Sequence, residues 1–224
     1  MDWDQLLLPP ATLLTLCLAA VVVWVARAPL RRLMNELGVR KVGGLGFDVE
    51  FIEHQAAVAY VDQGLDPPSE QDRRAIRRTA EHLGPLARGT RVLWVDNQPR
   101  NNERERSAFL AWQVDVQTRR TTDQALCELR DPREQYDLVV TDWRRPGDSE
   151  CSPAGLELIN RMRDRGLEEP VIFYHGAVPL DELERRRAAA KAAGAIGATG
   201  SPGELFRWSL MQLARDSGGG RLVD

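Results

Sequence analysis

The spacing of hydrophobic positions changes several times along the chain, and each change predicts a different kind of segment. From Gln5 to Ala26 there is no charged residue, and the run through Ala11, Leu18 and Val25 is almost entirely Leu, Val and Ala. At about 1.5 Å per residue such a run crosses a hydrocarbon layer roughly 30 Å thick, so it reads as a transmembrane helix in contact with membrane lipid. Pro9 and Pro10 stand at its start, where a missing N–H does no harm, and Trp3 and Trp24 lie near its ends, where amphipathic rings favour the headgroup region. Ala26-Arg27-Ala28 resembles a small-residue cleavage site, but the leader Met1-Asp2-Trp3-Asp4 is acidic where an export signal begins basic. An uncleaved anchor over residues 1–28 is therefore expected. Arg27, Arg31, Arg32, Arg40 and Lys41 all follow the span, which places that flank in the cytoplasm and the N-terminus outside.

Residues 29–89 read as a juxtamembrane linker. Leu30 to Leu37 suits a short amphipathic helix, and Gly43-Gly44-Leu45-Gly46 breaks it. Phe47-Asp48-Val49-Glu50-Phe51 then alternates strictly between apolar and acidic, which predicts a short strand. A strand needs a partner edge, so residues 43–53 are a candidate homo-oligomer contact, the alternative being docking on their own domain. His54 to Val61 reads as a helix, and Gly64 to Pro68 as a break. A second helix is expected from a Ser69-Glu70-Gln71-Asp72 cap, with Ile76, Ala80 and Leu83 as its stripe and its end near Gly84-Pro85. Its Arg73, Arg74, Arg77 and Arg78 have no aromatic residues between them to stack on bases, so a solvated face is the simpler reading.

From Thr90 onward strand and helix signals alternate five times, the pattern of an α/β domain with a parallel sheet wrapped on both faces. The strands are expected at Val92–Val95, Val114–Gln117, Leu138–Thr141, Val171–Tyr174 and Ala195–Ala198. Continuous apolar runs such as Val92-Leu93-Trp94-Val95 belong at the centre, and the alternating Val114-Asp115-Val116-Gln117 at an edge. That arrangement agrees with a flavodoxin-like, doubly wound five-stranded sheet of order 2-1-3-4-5 over residues 90–216, followed by a tail, 217–224. Pro179 marks a helix start, Ile159 and Met162 an inward face, and Ser201-Pro202-Gly203-Glu204 a capping box before the stripe of Phe206, Leu210 and Leu213.

Thirty basic against 33 acidic residues leave a net charge of −3, so no global charge advertises nucleic acid as a partner. Cys17, Cys127 and Cys151 are odd in number and scattered, which fits neither a disulfide framework nor a paired zinc site.

The chemistry concentrates on Asp96 and Asp142, at the ends of the first and third predicted strands. Adjacent parallel strands bring such carboxylates together, and the pair can hold Mg²⁺ through oxygen ligands beside a carboxylate nucleophile. The stretches Val92 to Pro99, Tyr136 to Asp142 with Pro146 after it, Gly155 to Leu158, Pro170 to Ile172, and Gly194-Ala195 followed by Ser201-Pro202 resemble the receiver domain of two-component response regulators. The resemblance covers just over half the chain. It implies that Asp142 matches the phosphorylated aspartate, Asp96 the first residue of the acidic pair, and the backbone carbonyl of Arg144 a metal ligand. Together with the anchor it implies a receiver-like domain on the cytoplasmic side of a bacterial inner (plasma) membrane.

Three positions depart from that pattern. Asn97 stands for the second acid and removes one charge from any Mg²⁺ site. Ser201 stands for the lysine before the proline. His175 stands for the hydroxyl residue after strand four, either as a donor to a phosphoryl oxygen or as a polar residue satisfied at a strand end. Trp143 is expected either to cover the pocket or to present a contact surface. The sequence therefore points to a degenerate, membrane-tethered signalling or interaction module that binds an unidentified protein partner, with phosphorylation of Asp142 still open. A membrane-anchored scaffold recruiting a client is the alternative. A phosphatase or hydrolase on the same scaffold fits less well, because Arg144 stands where a second catalytic aspartate is wanted and no glycine-rich loop follows strand one.

Overall fold

Leu138-Val139-Val140-Thr141 and Val171-Ile172-Phe173-Tyr174 carry bulky side chains at successive positions, an arrangement that only a strand covered on both faces can hide. In the computed structural model, which describes residues 49–148 and 153–218, both runs are buried strands. The elements are α1 (Val49–Asp62), α2 (Glu70–Leu83), β1 (Arg91–Val95), α3 (Glu103–Ala111), β2 (Asp115–Arg119), α4 (Thr122–Leu129), β3 (Leu138–Thr141), α5 (Ala154–Arg163), β4 (Val171–Tyr174), α6 (Leu180–Ala192), β5 (Gly197–Thr199) and α7 (Pro202–Gly218). Short 3₁₀ turns follow α2 and precede α3. The five strands are parallel in the order β2-β1-β3-β4-β5, with Val92 opposite both Val116 and Leu138. This is the flavodoxin-like order expected from the alternation of elements.

Each face of the sheet carries its own core. On one face Val92, Trp94, Val140 and Tyr174 pack with Phe109, Trp112, Phe206 and Leu210. There the rings of Trp112 and Phe206 meet edge to face at 5.2 Å. On the other face Leu93, Val95, Val139 and Phe173 pack with Leu126, Leu158, Ile159 and Met162. The inward stripe expected for α7, Phe206, Leu210 and Leu213, is buried as predicted.

Two expectations are corrected. Val49, Glu50 and Phe51 are not a strand but the first turn of α1. The reason is visible over a longer window: Val49, Ile52, Ala56 and Ala59 recur at helical spacing, and Ile52, Ala56 and Ala59 are fully buried. The strand-paired oligomer contact over residues 43–53 loses its basis for these residues. From Val49 onward the segment read as a linker is also part of the core, because Ile52, Ala56, Ile76 and Ala80 join the cluster of Trp112 and Phe206. The predicted cap of α2 is present, with Ser69 and Asp72 forming a reciprocal capping box.

The transmembrane expectation over residues 5–26, its basic flank to Lys41, Phe47, Asp48, Cys17, Cys151 and the tail beyond residue 218 lie outside the described residues. Among the described residues no helix is long and apolar enough to cross a membrane.

Candidate functional site

β1 and β3 are neighbours in register, with Val95 opposite Thr141, so the next residue of each, Asp96 and Asp142, emerges side by side at the carboxyl edge of the sheet. The Asp142 backbone N–H donates to the Val95 carbonyl, 3.1 Å, which fixes that juxtaposition. The two carboxylates line a recess of about 180 Å³ together with Gln63, Asn97, Asn102, Arg144 and His175.

Asp96 is 5% exposed and firmly held. Its Oδ1 accepts from the Gln98 N–H at 2.6 Å, and its Oδ2 from the side-chain amide of Asn102. Asp142 is half-buried, and its Oδ1 accepts from the Trp143 N–H at 2.6 Å. Burial, reinforced by the charge of Asp96, pushes the Asp142 carboxyl up to about 6, although the backbone N–H groups of Trp143 and Arg144 and the charge of Arg145 oppose the rise.

Arg145, which sequence reasoning missed, explains why that opposition is weak. Its side chain is wholly enclosed. The guanidinium donates to Thr141 Oγ1 and the Asp142 carbonyl, to Thr122 Oγ1 at 2.7 Å, to the Ala154 carbonyl at 3.0 Å, and to Asp148 at 2.9 Å. It thus braces the floor of the recess from behind, tying the end of β3 to the starts of α4 and α5, and faces the Asp142 backbone rather than its carboxylate. Burial lowers the guanidinium from its ordinary value. Burial also works against the Asp148 carboxyl, but hydrogen bonds from Thr122 and Arg145 hold it below its ordinary value. The one sequence signal was the pairing of Arg145 with Asp148 three residues on, which the adjacent Arg144 obscured.

The other predicted residues divide. Asn97, Arg144 and His175 do line the recess. His175 is 4% exposed, and its Nδ1 lies 2.7 Å from the Gly176 carbonyl oxygen, so Nδ1 carries the proton and Nε2 is left as a buried acceptor without a partner among the described residues. Burial pushes the imidazole below its ordinary value, which favours the neutral ring.

Ser201 takes the capping place expected of it rather than a place in the acidic recess, and Trp143 does not cover that recess. Ser201 shares a 2.8 Å hydrogen bond with the Tyr60 hydroxyl and accepts from the Glu204 N–H at 3.3 Å, so it caps α7 and lines a different recess, beside Tyr60 and Ile76. Trp143 is 5% exposed, packed against Phe173 at 5.2 Å with the Arg186 guanidinium over its ring, and so is a core residue rather than a cover. Sequence reasoning also missed Gln63, which reaches the recess from the end of α1.

The chain is similar to response-regulator receiver domains. Among solved structures it resembles the receiver domain of a Francisella response regulator, with 19% identity, TM-score 0.45, and 58% of this chain against 99% of that one. It likewise resembles a CheY-like receiver domain protein from Methanospirillum hungatei, with 18% identity, TM-score 0.46, and 58% against 98%. A third likeness is to the response regulator TrrA of Thermotoga maritima in complex with Mg²⁺ and BeF, with 20% identity, TM-score 0.43, and 55% against 98%. No family model matches the sequence, and no curated protein does. α1 and α2 precede the first strand of the sheet, β1.

Proposed function

We propose that this protein is a membrane-tethered, receiver-like signalling module that acts by binding a protein partner at its carboxyl edge, with residues 5–26 as the anchor and the folded domain on the cytoplasmic side. The observation that carries this reading is the pair Asp96 and Asp142, held side by side in one recess. Hard oxygen donors under mutual repulsion fit a divalent metal: Asp96, Asn97, Asp142 and the Arg144 carbonyl would hold Mg²⁺, which would neutralise charge on the carboxylates and on any phosphoryl group beside them. The neutral Asn97 makes that site weak.

The remaining residues argue for binding over phosphotransfer. The hydroxyl of Ser201 is engaged with Tyr60, away from the acidic recess. The Arg145 guanidinium is committed behind it. The His175 N–H is committed to Gly176, so the imidazole offers an acceptor rather than a donor. A phosphoryl group on Asp142 would meet the Asp96 carboxylate and no lysine or imidazolium to receive its charge.

Intact mass of the full chain after incubation with acetyl phosphate and Mg²⁺, beside Asp142→Asn, tests the reading. An unmodified parent is expected. A phosphate increment that disappears in the variant would make the domain a phosphotransfer switch instead.

A further inference from the structure

The carboxyl edge on which the recess sits is not left to the sheet and its own loops. The end of α1 reaches it at three points. The Tyr60 hydroxyl meets Ser201 after β5 and approaches Gly203 so closely that a Cβ there would lie 2.8 Å away. Asp62 pairs with Arg104 at 3.6 Å. Gln63 enters the acidic recess itself, where its Nε2 donates to Asn102 Oδ1 at 3.3 Å, and its Oε1 stands 3.5 Å from where a Cβ on Gly176 would be.

Asn102 is in turn the donor to Asp96 Oδ2. A continuous chain of side-chain hydrogen bonds therefore runs from the exit of α1, through Asn102, to the better buried of the two carboxylates. Burial raises the carboxyl of Glu105, which accepts from the Tyr174 hydroxyl just before His175, and the hydrogen bonds from Tyr174 and Gln63 oppose that rise. These contacts are made from the end of a helix that lies ahead of β1 in the chain.

We propose that Gln63 is a positioning residue of the acidic recess and couples the N-terminal helical pair to occupancy of Asp96 by a divalent cation, each weakening the other. The inference rests on the cation-holding reading of Asp96 and Asp142. A cation on Asp96 draws charge from Oδ2, the acceptor of the Asn102 amide, and so weakens the Asn102 contact and the Gln63 arm behind it. By linkage, whatever releases the arm frees Asp96 Oδ2 for the cation. The signal would pass from the recess to α1, and so toward the N-terminal segment, through two amide side chains.

The test is Mg²⁺ titration of the full chain in detergent, followed by tryptophan fluorescence, with amide hydrogen exchange of α1 measured with and without Mg²⁺. Gln63→Ala should tighten Mg²⁺ by about three- to ten-fold, the range one partly buried hydrogen bond supports. Mg²⁺ should speed exchange at the end of α1 in the parent but not in the variant. Tyr60→Phe, which removes a contact of the same helix outside the acidic recess, should leave the Mg²⁺ midpoint where it was. An unchanged or weaker midpoint in Gln63→Ala, or an equal shift in Tyr60→Phe, would overturn the coupling while leaving the cation reading intact. A parent chain that shows no Mg²⁺ response, when Asp142→Asn shows none either, would bring down both.

Discussion

Replacing Asp142 by Asn should make the folded domain more stable, by an amount that depends on pH. The carboxyl rises from an ordinary 3.8 to about 6 because burial and the charge of Asp96 disfavour its ionised form. The unfolded chain releases this proton near 3.8 and the folded protein near 6, so the contribution to stability is complete below 3.8 and is lost as pH rises through 6. At about 1.36 kcal/mol per pH unit, the penalty carried by the folded parent above that window is roughly 3 kcal/mol. Asparagine is uncharged and keeps an oxygen for the Trp143 N–H. Urea unfolding of a fragment beginning at residue 43, which retains α1 and α2, followed by tryptophan fluorescence, should show parent and variant nearly equal at about pH 4 and the variant ahead by about 2–3 kcal/mol at about pH 7.5. A gap that is the same at both pH values, or smaller than about 1 kcal/mol at the higher one, would refute the claim that the recess holds its second carboxylate against electrostatic cost.

Two further substitutions probe the frame of the site. Arg145→Met removes every partner of Asp148 on that side and leaves a mostly buried carboxylate, so a loss of about 3–5 kcal/mol is expected in the same unfolding assay, and a loss below about 1 kcal/mol would contradict the bracing role. Gly155→Ala should also destabilise, by about 1–3 kcal/mol in urea unfolding, because the new Cβ would stand 2.5 Å from the Asp142 carbonyl oxygen and 2.6 Å from the Phe173 ring, whereas at an open helix position the same change gains up to about 1 kcal/mol.

The sheet was legible because its central strands are covered twice. Runs such as Leu138 to Thr141 and Val171 to Tyr174 hold no charged position to confuse the reading, and both strands fall on the residues expected. β2 is displaced to Asp115–Arg119 because Val114 is buried in the turn out of α3, its N–H on the Phe109 carbonyl, and so looks like strand without being strand. The failure at Val49 to Phe51 has a different cause. Five residues of alternation are too few to separate period two from the first turn of a helix, and only Ile52, Ala56 and Ala59 resolve it.

In the site, Asp96 and Asp142 were readable from strand ends alone, since parallel register brings them together. The surroundings were not, because they depend on side chains distant in sequence. Nothing near Ser201 announces Tyr60, 141 residues earlier, and nothing near Asp96 announces Gln63.

The enclosed guanidinium of Arg145 also bears on how the domain comes apart. One side chain holds the last residue of β3, the loop beyond it, Thr122 at the start of α4 and Ala154 at the start of α5. These segments cannot fray one at a time without stranding a buried charge. Slow amide exchange at the ends of β3, α4 and α5 should therefore report a single opening event, and breathing of the domain is left to segments that Arg145 does not touch.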